Sequence, residues 1–136
     1  MDICCGVDII EIQRIKDSLD KYGESFLQRV YTQGEIDYCE SRKAGRCESY
    51  AVRFAAKEAV SKALGTGIAC GVSLKDIELV AAGEGKPKIV LHGAAREKYI
   101  EMGGKSIDVS LTHSRDYAAA FVVLLTDGNM PGNGQD

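Results

Sequence analysis

The sequence predicts an α+β fold: one compact domain with a small, mainly antiparallel sheet packed against a long helix. Three observations carry that prediction. Strand-like and helix-like stretches do not alternate regularly, which argues against a doubly wound parallel sheet. One helical pattern, from about residue 48 to 64, is much longer than the rest. The stretch SIDVSLTHSRDYAAAFVVLL, near the C-terminus, reads as a hairpin.

The elements follow in order. Residues 2–7 read as a short apolar strand. Ile12, Ile15, Leu19 and Tyr22 then recur at helical spacing, and Gly23 is placed to end that helix. Residues 24–30 and 34–42 read as short helices, the second beginning after Gly34, and RKAGRCES reads as a polar, basic loop. The long helix is stopped by Gly65-Thr66-Gly67. IELVAAGEGKPKIVL holds two strands around a Gly-Pro turn, and GAAREKYIEMGG reads as a helix closed by glycines. The final hairpin turns near Ser114 to Asp116. The domain is expected to span residues 1–126, and residues 127–136 to form a disordered tail.

A chain of 136 residues suits one domain with a real core. It is 27% charged and 45% hydrophobic, an ordinary globular composition. No apolar run approaches the ~20 residues that span a bilayer, and no signal peptide is visible at the N-terminus. The net charge of −3 argues against a general nucleic-acid binder. Five cysteines and two histidines, with no C-x-x-C, argue against a disulfide framework or a zinc site. Small, reduced thiols in a cytoplasmic protein are the expectation.

Asp8 stands out as the one acid in the apolar stretch ICCGVDII. It is read at the point where the first strand gives way to a helix, where an aspartate commonly serves as an N-cap. The long helix offers a functional alternative. Val52, Ala56, Ala59, Val60 and Ala63 fall on one side, and Glu58, Ser61 and Lys62 opposite. Glu58 and Lys62, four apart, suit a solvated surface pair worth only ~0.3–0.5 kcal/mol. Small neighbours, Ala55 and Gly65, would also let a ligand approach the backbone. The amides of the Gly-Thr-Gly stretch could meet an anion, with Lys62 offsetting the unfavourable dipole of a helix C-terminus. If Asp8 and Glu58 meet in space, they form a pair of hard oxygen ligands suited to Mg²⁺, with Lys62 reaching the same phosphate. Two carboxylates and a lysine describe phosphoryl-transfer chemistry.

GVDIIEIQRI (residues 6–15) and FAAKEAVSKALGTG (residues 54–67) together resemble the two signature motifs of the 4′-phosphopantetheinyl transferase superfamily. The chain's length points to its short bacterial holo-acyl-carrier-protein synthase group. GEGKPKIVLHG resembles that group's Gly-Lys-Pro segment, and VSLTHSRDYAAAFVV its Ser-x-x-His strand and following Tyr-Ala strand, with Thr112 where a serine is usual. The four segments come in order from residue 2 to about 125.

The resemblance implies a 4′-phosphopantetheinyl transferase-like fold and a reaction that moves 4′-phosphopantetheine from coenzyme A to a serine of apo acyl carrier protein. Adenosine 3′,5′-bisphosphate is released. It implies Mg²⁺ held by Asp8 and Glu58, and Lys62 on the CoA phosphates. The activator of the serine stays open among Glu58, a metal-bound water and His113. CoA contacts are expected from Arg53, Ser61, Lys62, Gly65, Lys86, Pro87 and His113, with the Gly-Lys-Pro turn at the adenosine end. Arg14 and Lys21, with Lys16 on the same edge and Arg29 nearby, would meet an acidic helix of the carrier protein. A homotrimer with active sites at subunit clefts, and a cytoplasmic role in fatty acid biosynthesis, complete the expectation. YAAAFVVLL suits an interface strand, or an ordinary core strand.

Overall fold

The computed structural model describes residues 1–66, 71–81 and 85–128. Gly67, Cys70, Glu84 and the tail from 129 onward therefore lie outside the described residues. The elements are β1 (Asp2–Glu11), α1 (Ile12–Tyr22), α2 (Glu24–Val30), α3 (Gln33–Ser41), α4 (Arg46–Ala63), β2 (Ile77–Val80), β3 (Lys88–Leu91), α5 (Gly93–Glu101), β4 (Gly104–His113) and β5 (Tyr117–Thr126). Short 3-10 turns occupy Lys43–Gly45 and Leu74–Asp76.

β1, β5 and β4 form an antiparallel sheet in that order, with β5 central. Asp2 pairs with Thr126 and Glu11 with Tyr117, so β1 is matched along its whole length. β2 and β3 form a separate antiparallel hairpin. α4 lies across β1 and β5, with α1 and α3 also packed on it. Val52, Ala56, Ala59, Val60 and Ala63 are buried as expected.

The closeness of this packing has a local cause. A Cβ on Gly6 would sit 1.8 Å from the Ala59 carbonyl oxygen and 3.0 Å from the Ala63 amide nitrogen. Only glycine lets the α4 backbone rest on the strand there. Ala55, Ala56, Ala59 and Ala63 keep the helix side of the contact equally thin.

Three expectations need correction. β1 does not end at residue 7 but runs to Glu11, and Asp8 is a strand residue; the N-cap of α1 is Glu11. Pairing with β5 extends the strand through the carboxylate. Tyr22 does not continue the buried stripe of Ile12, Ile15 and Leu19 but is 50% exposed. The chain turns at Gly23 (φ 54°), and Phe26, Leu27 and Val30 of α2 fill the core instead. Ser61, placed on the polar side of α4, is fully buried, its hydroxyl donating to the Glu58 carbonyl at 2.7 Å.

α4 also carries a buried charge. The Lys57 ammonium donates to Glu35 Oε1 at 2.7 Å, to the Leu74 carbonyl at 3.1 Å and to the Ile77 carbonyl. Both side chains of the pair are fully buried. Glu35 Oε1 also accepts from the Thr32 amide at 2.9 Å, and Oε2 from the Leu79 amide at 2.8 Å. Removing one partner of such a pair typically costs ~3–5 kcal/mol, because the other is left buried and uncompensated. The pair thus fixes α3 and the start of the β2–β3 hairpin onto α4.

Candidate active site

Side chains alternate across a strand, so Gly6 and Asp8 share the β1 face that meets α4. Gly6 meets the backbone at Ala59 and Ala63, and the same crossing brings Glu58 and Lys62 of α4 to Asp8. Lys62 Nζ donates to Asp8 Oδ1 at 3.2 Å and to the Val7 carbonyl at 2.9 Å. Lys62 is half exposed, whereas the Asp8 side chain retains only 18% exposure. Glu58 is partly buried. Its carboxyl is pushed above the ordinary carboxylate range, first by burial and then by the Asp8 charge, with Lys62 pulling in the opposite direction.

The expected Glu58–Lys62 surface pair is therefore not the arrangement found. Lys62 bridges instead to Asp8, because the close crossing at Gly6 puts the strand carboxylate within reach of its long side chain. The amides of Gly65 and Thr66 are also engaged rather than open to an anion. They donate to the carbonyls of Lys62 (3.0 Å) and Ser61 (3.3 Å). Gly65 is exposed, has φ 81° and leaves open space where a Cβ would stand.

The site fits a hard divalent cation. Two carboxylates from different elements converge, and their mutual repulsion raises the proton affinity of Glu58. A lysine supplies the compensating positive charge at Asp8. Among the described residues no group of three or more His, Cys, Asp or Glu side chains converges to hold a metal. Two protein carboxylates with remaining positions left to water and phosphate oxygens are the usual provision for Mg²⁺.

Arg53 and His113 meet elsewhere along α4. They line one cleft of about 240 Å³ together with Tyr38, Arg42 and Ser49. Pro87 lines a neighbouring cavity of about 320 Å³ with Arg53, Tyr38, Leu79 and Leu111. Arg53 and Lys62 are nine residues apart on one helix, or ~13 Å along its axis. Lys86 lines neither cavity and bridges to Asp108 at 2.9 Å, both side chains well exposed. Arg14 and Lys21 are exposed on α1, Lys16 pairs with Asp20 at 3.2 Å, and Arg29 is exposed on α2.

Sequence reasoning missed Glu35, Lys57, Tyr38 and Arg42. One local signal was available for Glu35: Thr32 and Glu35 form a capping box at the start of α3, the T-x-x-E pattern of a helix N-terminus. Lys57 has no such signal, since its partners are remote in sequence.

Comparison with known proteins agrees with this arrangement. A family model described as the 4′-phosphopantetheinyl transferase superfamily matches residues 4–122. A holo-[acyl-carrier-protein] synthase from Ruminiclostridium cellulolyticum is 50% identical over 124 residues, covering 91% of this chain and 92% of that one. The crystal structure of Helicobacter pylori holo-[acyl-carrier-protein] synthase in complex with coenzyme A superposes with a TM-score of 0.78 at 33% identity, covering 89% of this chain and 99% of that one. A holo-(acyl-carrier-protein) synthase from Bacillus anthracis, in complex with CoA (3′,5′-ADP), gives a TM-score of 0.75 at 38% identity, covering 91% and 96%. With the whole α+β framework and both signature segments accounted for, the chain belongs to the 4′-phosphopantetheinyl transferase superfamily.

Proposed function

We propose that the protein is a holo-acyl-carrier-protein synthase, transferring 4′-phosphopantetheine from coenzyme A to a serine hydroxyl of apo acyl carrier protein. The observation that carries this reading is the convergence of Asp8, Glu58 and Lys62 at the Gly6–Ala59 crossing.

The serine oxygen attacks the pantetheine-bearing phosphorus of the CoA pyrophosphate. The bond from that phosphorus to the bridging oxygen breaks, and adenosine 3′,5′-bisphosphate leaves with the bond's electron pair. Asp8 and Glu58 would hold Mg²⁺, which when bound offsets the negative charge of the pyrophosphate. Lys62, half exposed on a long side chain, exchanges its contact with Asp8 for a phosphate oxygen. Glu58 takes the serine proton. Arg53 and His113 hold a CoA phosphate in their shared cleft, and Pro87 packs beside it. Ser61 acts by packing, since it is buried, and exposed Gly65 gives the phosphates close backbone access.

The carrier protein docks on α1. Arg14 and Lys21 are exposed there, with Lys16 on the same helix and Arg29 on the next. Because the net charge is −3, this local patch must do the steering. The working assembly is a homotrimer. The sheet face turned away from α4 leaves Ile3, Val7 and Ile9 between 59% and 66% exposed, with Phe121 at 45%. A contiguous apolar face of this kind calls for a protein partner, and a second copy places the CoA pocket at a subunit cleft. Among the described residues no helix is long and apolar enough to cross a membrane. The role proposed is a cytoplasmic one in fatty acid biosynthesis.

The test is direct. Incubation with CoA, Mg²⁺ and apo carrier protein should add one phosphopantetheine mass to the carrier, and chelation should stop it. Asp8→Ala and Glu58→Ala should abolish transfer while keeping the circular dichroism of the fold. Lys62→Ala should lose roughly tenfold to a hundredfold in rate, the ~1.5–3 kcal/mol of a charge-assisted phosphate contact. CoA binding without any mass gain would overturn the reading in favour of a noncatalytic CoA-binding module.

A further inference from the structure

Arg53 is held in an unusual way. The residue is only 7% exposed, and no carboxylate pairs with it among the described residues. Nη1 donates to the Ser49 carbonyl at 3.3 Å and to its hydroxyl at 3.1 Å, while the buried Nε has no hydrogen-bond partner. A buried cation is costly unless something compensates it. The compensation in place is aromatic: the guanidinium carbon lies 4.3 Å from the centre of the Tyr38 ring. Arg42 lies over the same ring at 5.8 Å.

An aromatic face differs from a carboxylate in one respect that matters for binding. It attracts the cation and shields one of its faces from water, yet it presents no anion to compete with a ligand's phosphate. Tyr38 and Arg53 also line both cavities, the one that contains His113 and the one that contains Pro87. Their stacked side chains thus form a wall common to the two. The cleft on the His113 side reaches Gly45, the N-cap of α4, which makes no side-chain cap hydrogen bond. Glu48, in the first turn of α4, lines the same cleft and offsets the positive end of the helix, so the preference for an anion there comes from Arg53 and Arg42.

We propose that Tyr38 is a positioning residue for Arg53: its ring holds the guanidinium at the wall between the two cavities, set to receive a phosphate of coenzyme A. The proposal rests on the CoA-transferase reading above. Tyr38 does no chemistry and acts on CoA affinity through Arg53. The stack needs the ring and not the hydroxyl.

The experiment compares wild type, Tyr38→Ala, Tyr38→Phe, Arg53→Ala and the double variant Tyr38→Ala/Arg53→Ala. It measures kcat and KM for CoA, KM for apo carrier protein, and the Kd for CoA by calorimetry. Tyr38→Ala should raise KM and Kd for CoA about threefold to tenfold, with kcat and the carrier-protein KM within twofold of wild type. Tyr38→Phe should restore CoA affinity. The double variant should be no weaker than Arg53→Ala, because Tyr38 has nothing left to position. Wild-type CoA affinity in Tyr38→Ala, failure of phenylalanine to rescue, or full additivity in the double variant would each overturn the proposal. Tyr38 is 37% exposed; if Tyr38→Ala proves unfolded, Tyr38→Leu takes its place under the same criteria. Calorimetry also separates the two readings. A protein that binds CoA in a Tyr38-dependent way but transfers nothing would refute the transferase reading and leave this one standing.

Discussion

At the scale of single residues, Glu58 concentrates the conflict between stability and function. Its carboxyl is desolvated and faces the Asp8 charge, and both raise its proton affinity. In the folded chain it therefore binds a proton more tightly than in the unfolded one. That contribution favours folding at pH below the ordinary carboxylate range and is lost as pH rises through the raised value. Above that raised range, without a cation, Glu58 is a destabilising charge. Glu58→Gln should consequently raise the melting temperature at pH 7 in chelator, narrow that gain at pH 4, and abolish transfer. Added Mg²⁺ should raise the melting temperature of the wild type and not of the variant. Thermal melts with and without Mg²⁺ at the two pH values decide this. A Glu58→Gln protein less stable than wild type in chelator at pH 7 would mean that the carboxylate is satisfied within the fold and not waiting for a cation.

At the scale of elements, the site depends on how closely α4 rests on β1. Gly6 is the point of contact, and a methyl group there would fall 1.8 Å from the Ala59 carbonyl oxygen. A backbone oxygen on a helix packed across two strands has little room to yield. Gly6→Ala should therefore cost at least the ~1–3 kcal/mol of an overpacked core. It should also lower transfer further than the loss of folded protein explains, because α4 must lift Glu58 and Lys62 away from Asp8. Urea unfolding together with turnover per folded molecule checks both. An unchanged urea midpoint with normal turnover would show that the helix does not rest on the strand this closely. The same crossing explains what the sequence did and did not disclose. The helical stripe of α4, the hairpin turn near Ser114 to Asp116 and the antiparallel terminal strands were legible, because each follows from local periodicity and turn residues. Asp8 was placed at the end of the first strand, where a cap was the alternative to a metal ligand, because an acid in an apolar run looks like a strand's end. Its place within β1 is set by ten paired residues on β5, more than a hundred positions away. Ser61 was misjudged, and Lys57 missed, for a related reason. α4 is enclosed by the sheet on one side and by α1, α3 and β2 on others, so Arg53, Lys57 and Ser61 are buried although polar. The convergence of Asp8, Glu58 and Lys62 was suggested by motif and chemistry, whereas the Lys62–Asp8 bridge needed the packing of the helix on the strand.

At the scale of the whole molecule, the three-stranded sheet poses a question that one chain does not answer. Its α4 face is filled by Gly6, Ile10, Ala118, Ala120, Val122 and Leu124. Its other face presents Ile3, Val7, Ile9 and Phe121, and Val7 pairs directly with Phe121 across β1 and β5. β5 is thus both a core strand and, on its second face, the centre of the proposed interface. Full burial of side chains of this size is worth ~1.5–3 kcal/mol each, which gives a strong drive to association. Val7 also adjoins Asp8, so an interface formed on one face of β1 lies directly behind the site on the other. Val7→Asp would place a charge at the centre of that apolar face, opposite Phe121. It should reduce the mass measured by light scattering from three chains to one, with the circular dichroism of the fold retained. Transfer should fall with assembly, although Asp8, Glu58 and Lys62 all belong to one chain, because in the proposed trimer the neighbouring copy completes the CoA pocket. Turnover per chain in the wild type should likewise decline on dilution below the assembly's dissociation constant. A Val7→Asp monomer that transfers phosphopantetheine at the wild-type rate would show that a single chain contains the whole site and that the apolar face serves another partner.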